Sequence, residues 1–117
     1  MNQDDKIANM TFADIYPHYL QKIEKKWRTQ WELERVISWL TWYNDLEIDK
    51  CIEDNLNFTD FFNWAKLNPH AKLISWSICG VKIQDIENPI TQQVRYLDKL
   101  VDELAKWKDL DKIFRKK

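Results

Sequence analysis

Apolar side chains recur along this chain at the three-to-four-residue spacing of an α-helix, and side chains suited to capping stand between the apolar runs. The clearest unit begins at Thr29, followed three residues later by Glu32 in the S/T-x-x-E arrangement of a capping box. Behind it Leu33, Val36, Ile37 and Leu40 form one stripe, predicting a helix over 30–41. Tyr16, Tyr19, Leu20 and Ile23 form a similar face, with Pro17 suited to the first turn of a helix over 17–26. Thr11, three before Asp14, is a fainter capping echo, and residues 1–10 read as a loose leader.

Asn44 or Asp45 caps a predicted helix over 46–54, with Ile48, Cys51 and Ile52 inward. Phe58 and Thr59 look like a staple and cap for a short helix over 60–66, which places Phe61, Phe62 and Ala65 inside. Asn68-Pro69 marks a turn. Residues 71–79 fit a short helix closed by Gly80, and Val81-Lys82-Ile83 alternates like a strand with no evident partner. Asn88 then caps and Pro89 takes the first position of a long helix over 89–106, striped by Ile90, Val94, Leu97, Leu100, Val101 and Leu104. Asp109 restarts a last turn with Leu110, Ile113 and Phe114 inward, leaving 115–117 as a frayed tail. The expected fold is all-α: one domain over 1–117, an irregular or orthogonal bundle of about five or six helices with the long C-terminal helix as its spine.

Composition narrows the function classes. The 117 residues carry 18 basic and 19 acidic side chains, a net charge of −1, so bulk charge does not hold this chain to nucleic acid or to an anionic membrane. No apolar run approaches the roughly 18 residues that span a bilayer, and the polar, acidic start is unlike a secretory signal. Cys51 and Cys79 are far apart and show no zinc-ligand spacing. A cytoplasmic location, no metal and no cofactor are the expectations.

Ordered blocks carry a family resemblance. They are Met10-Thr11-Phe12-Ala13 with Tyr16-Pro17, Lys25-Lys26 with Arg28-Thr29, and Trp39-Leu40-Thr41 with Tyr43. Phe61-Phe62, Leu67-Asn68-Pro69 and Ile78-Cys79-Gly80-Val81 follow, then Arg95 to Leu100 running into Asp102 to Lys106. Together they resemble the bacterial family called domain of unknown function 2200. The resemblance implies a small, mainly helical protein with no assigned reaction and no established catalytic residue. In the family pattern, glycine stands where this chain has Trp27, Trp42, Trp76 and Trp107.

Composition sharpens that departure. At a usual share of about 7% a chain this long would hold roughly eight glycines; it holds one, beside seven tryptophans. Trp27 and Trp107 follow helix ends, where a left-handed residue is commonly glycine, and Trp42 lies off the apolar stripe just past Thr41. Three readings stand side by side. The first is a glycine codon, UGA, written as tryptophan at 27, 42, 76 and 107. The second is ordinary packing, with Trp27 and Trp107 extending neighbouring apolar faces. The third is a surface that stacks bases or grips a partner, which the charge balance disfavours.

Candidate chemistry is sparse. Cys79, beside the only glycine, is a thiol nucleophile if a neighbour lowers its pKa, with His70 or Arg95 assisting; flanked by Ile78 and Val81, it reads better as a buried, unreactive side chain. His70 reads as a solvated loop residue. Arg95, Asp98 and Asp102 share one side of the long helix and line a polar groove in one reading; in the other, they and the Lys99–Glu103 pair only support a solvent-facing helix. Asn68 joins the candidate binding set. No Gly-rich phosphate loop or protease motif occurs. The expected function is a binding or protein-interaction module for a protein or small-molecule partner. The alternative is an enzyme working through Cys79, and a weak nucleic-acid binder comes third.

Overall fold

A computed structural model describes residues 2–78 and 80–116, and of Ile78 the backbone alone. Seven α-helices are formed among these residues: α1 (Gln3–Asn9), α2 (Phe12–Glu24), α3 (Gln30–Thr41), α4 (Asp45–Glu53), α5 (Phe58–Trp64), α6 (Pro89–Ala105) and α7 (Leu110–Ile113). The all-α expectation holds, with α6 as the spine: α1, α2, α3, α5 and α7 all pack against it.

Local signals place most of the boundaries. Thr29 Oγ1 accepts from the Glu32 N–H at 3.2 Å while Glu32 Oε1 accepts from the Thr29 N–H at 3.0 Å, so the capping box starts α3 where it was expected. Asn44 and Glu47 repeat the device at α4. Asn88 Oδ1 accepts from the N–H groups of both Ile90 and Thr91 at 3.0 Å, with Pro89 in the first turn of α6. Leu33, Val36, Ile37 and Leu40 are wholly buried, as are Leu97 and Leu100 of the α6 stripe.

Four sequence expectations are corrected. Residues 3–9 form α1 rather than a loose leader: Asn2 caps it, Asp4 and Asp5 sit in its first turn, and buried Ile7 docks it onto the core. Helix α2 starts at Phe12, so Pro17 lies inside it. The ring deprives the Ala13 carbonyl of its helical N–H partner, which is tolerable because Pro17 faces solvent. Asn57, not Thr59, caps α5, and the Thr59 hydroxyl donates instead to the Ala8 carbonyl at 3.2 Å. The segment after Asn68 folds as a 3₁₀ turn (Pro69–Leu73) and a two-residue antiparallel ladder, β1 (Ser77–Ile78) with β2 (Val81–Lys82). The extended piece thus finds its partner four residues upstream.

The two cap residues Thr11 and Asn57 meet in a single β-bridge, where the Phe12 N–H reaches the Leu56 carbonyl and the Phe58 N–H the Met10 carbonyl, both at 2.9 Å. This clip brings α2 and α5 together over an aromatic cluster. Phe12 stacks on Phe61 at 4.3 Å between centroids, and Phe58 and Phe62 close around them edge-on.

Candidate functional site

Helix α1 lies along α6, and Thr91 Oγ donates to Asp4 Oδ1 at 2.6 Å to hold the two together. Beside this contact run two adjoining depressions of about 390 and 230 Å³ that share Gln3, Ile7 and Arg95. Ile7, Val81 and Ile86 supply apolar walls to the larger, and Tyr19, Val94 and Asp98 line the smaller.

The floor is organised by a relay that the helical spacing only half reveals. Arg95 Nη1 donates to Asp98 Oδ2 at 2.9 Å, one turn along α6. The other carboxylate oxygen, Oδ1, accepts from the hydroxyl of Tyr19 on α2 at 2.6 Å. Tyr19 is buried and pushed well above the ordinary phenol range, first by that burial and then by the charge and hydrogen bond of Asp98. It therefore remains a neutral donor. Both oxygens of Asp98 are thereby engaged, and the Arg95 side chain stays 26% exposed in the groove. A guanidinium held in this way presents its remaining N–H fork to a ligand oxygen. Among the described lining residues there is no thiol, lysine or imidazole.

The other sequence candidates lie elsewhere. Asp102 is not in this groove: it sits between Lys22 Nζ at 3.5 Å and Lys106 Nζ at 3.1 Å, where those cations outweigh the cost of burial and hold its carboxyl below the usual range. Asn68 caps the 3₁₀ turn by accepting from the His70 N–H and donates to the Trp39 carbonyl at 3.0 Å, away from both depressions. His70 lies in that turn and lines neither depression. Cys79 lies outside the described residues. A wider cleft of about 580 Å³ at the β1–β2 ladder is bounded by Ser75, Trp76, Ser77, Lys82, Gln84 and Asp85. All but Trp76 are solvent-exposed, and Gln84 Nε2 donates to the carbonyl of buried Ile74 at 3.1 Å. Among the described residues no cluster of three metal-ligating side chains occurs, and no helix is long and apolar enough to cross a membrane.

Glu103 overturns the solvent-facing reading of the Lys99–Glu103 pair, because it is only 6% exposed. Arg115 holds it bidentately, with Nη2 to Oε2 at 2.7 Å, and Lys108 Nζ adds a contact at 3.1 Å. Burial alone raises its pKa, but hydrogen bonds and charge from Arg115 and Lys108 more than offset this and leave it lowered. Arg115 is thus pinned rather than frayed, and α7 is fastened to α6. The packing expected of Trp27 and Trp107 is also absent, since they are 85% and 60% exposed. Sequence reasoning missed Tyr19, Asp4 and Thr91 as groove residues. The one available signal was a phenol on an apolar helical face, which needs a hydroxyl partner once buried.

Fold and groove together define a small helical protein with a cleft walled by apolar side chains around Arg95. The chain belongs to the bacterial family described as uncharacterized proteins conserved in bacteria, domain of unknown function 2200, whose model matches residues 6–115. It is similar to a solved structure titled as that of the uncharacterized protein SP1917, at 38% identity and a TM-score of 0.86, over 100% of this chain and 98% of the other. No curated protein matches.

Proposed function

We propose that this chain is a small cytoplasmic binding protein whose site is the groove between α1 and α6. The ligand class is a carboxylate or carbonyl oxygen next to an apolar group, on a small molecule or a partner's peptide. The observation that carries the reading is the Tyr19–Asp98–Arg95 relay. A surface ion pair contributes little on its own, yet here a buried phenol and both oxygens of a carboxylate are committed to aiming one partly exposed guanidinium. Ile7, Val81 and Ile86 beside it suit the apolar part of such a ligand. The buried free thiol of Cys51 suits a reducing compartment.

The test is an NMR titration with N-acetyl-leucine, a probe that joins a carboxylate to an apolar side chain. Saturable shifts are expected at the Arg95 side-chain N–H groups and the Ile7 and Ile86 methyls, and Arg95→Gln should weaken them at least tenfold without changing the melting temperature. Absence of saturable shifts in the groove, or equal binding by Arg95→Gln, refutes the proposal.

A further inference from the structure

Four non-glycine residues among those described hold a left-handed backbone: Trp27 (φ 65°), Trp42 (φ 67°), Asn55 (φ 51°) and Trp107 (φ 69°). Three of them close helices in one way. After α2 the Trp27 N–H bonds the Glu24 carbonyl and the Arg28 N–H the Ile23 carbonyl. After α4 the Asn55 N–H bonds Ile52 and the Leu56 N–H bonds Cys51. After α6 the Trp107 N–H bonds Leu104 and the Lys108 N–H bonds Glu103. These are Schellman closures, whose left-handed position is taken by glycine, or less often asparagine, because a Cβ there crowds the following carbonyl. Asn55 is the expected kind of residue. Trp42, with its N–H on the Ser38 carbonyl at 2.8 Å, ends α3 in the simpler left-handed cap, which makes the same demand.

Tryptophan at such a position needs compensating burial, and none is present: Trp27, Trp42 and Trp107 are 85%, 69% and 60% exposed. The other tryptophans are of a different kind. Trp39 is half-buried and stacks on Phe114 at 6.0 Å, while Trp76 packs against the core with Lys99 Nζ 5.3 Å from its ring centre. Trp31, Trp64 and Trp76 are not left-handed. Geometry thus isolates three positions, in a chain that holds a single glycine.

We infer that residues 27, 42 and 107 are glycine in the protein as its own cell makes it. Their codon is UGA, which differs by one base from the tryptophan codon UGG and by one base from the glycine codon GGA. A code that reads UGA as glycine, written out under one that reads it as tryptophan, places indoles where the backbone requires no side chain. Once those indoles are removed, the exposed aromatics at three helix ends are no partner-binding surface, and the groove at Arg95 is untouched.

Two readings of the native source test the inference. The gene should carry UGA at 27, 42 and 107 and UGG at Trp39. Peptides from the native protein that span the three positions should have the mass of glycine there. UGG at any of the three, UGA also at Trp39, or the mass of tryptophan in those peptides overturns it. As a third check, the chain carrying Trp27→Gly, Trp42→Gly and Trp107→Gly should unfold at a higher denaturant midpoint than the chain as written. A lower midpoint overturns the inference as well.

Discussion

Glu103→Gln removes one charge and almost no volume, so it isolates the electrostatic clasp between α6 and α7. Breaking a fully buried ion pair by deleting one partner costs about 3–5 kcal/mol, because the other charge is left desolvated and unpaired. Arg115 retains 15% of its side-chain exposure and Lys108 39%, so both can partly return to water. A cost of about 2–4 kcal/mol follows, a large share of the 5–15 kcal/mol total usual for a domain. For a domain of this length that lowers the melting temperature by roughly 10 °C.

The pH dependence supplies an internal control. The folded pKa of Glu103 lies below its unfolded value, so its contribution is complete above the ordinary glutamate pKa of about 4.3 and is lost as pH falls through the lower folded value. Urea unfolding at pH 7 and pH 3 should therefore show a large deficit for the variant at neutral pH and a smaller one in acid. Amide exchange should show α7 opening first, since it spans only four residues. A deficit below about 0.5 kcal/mol at pH 7, or one independent of pH, would refute the account of Glu103 as a buried clasp.

Trp27→Gly should stabilise the chain by about 0.5–1 kcal/mol in urea unfolding: a left-handed strain of about 1–2 kcal/mol is relieved, against about 0.5–1 kcal/mol of added chain entropy. A loss of several kcal/mol would mean that the indole is packed. Tyr19→Phe should cost about 1–2 kcal/mol by leaving Asp98 short of a donor, and should loosen Arg95 in side-chain NMR. Burial raises all four tyrosines, so NMR titration of the Tyr19 ring should find it still protonated at the ordinary phenol pKa of about 10. Its raised pKa means that stability is intact below that pH and declines above it, so early ionisation of Tyr19 would contradict its burial. Thr29→Ala should cost about 1 kcal/mol by opening the capping box of α3, and no measurable loss would deny that box its role.

Read alone, the amino-acid order determined whatever depends on neighbours three or four residues apart. Thr29 with Glu32 and Asn88 with Pro89 start α3 and α6 where they were expected, because a cap is a bond between a side chain and an N–H group two or three residues on. The stripe from Leu33 to Leu40 is buried because helical spacing alone puts those residues on one face. The anomaly at Trp27, Trp42 and Trp107 was legible for the same reason, since a helix end asks for a particular residue whatever surrounds it. Tertiary structure decided the rest. A seven-residue α1 is too short to hold by its own bonds and forms because Ile7 finds a core to bury itself in. Glu103 has the local pattern of a surface residue and becomes an interior one only when Arg115, twelve residues on, folds back to neutralise it. The groove depends on Tyr19 meeting Asp98 across 79 residues. Whether a polar side chain is solvated, buried or aimed at a ligand depends on partners that chain spacing does not specify, and those partners arrive only when the helices pack.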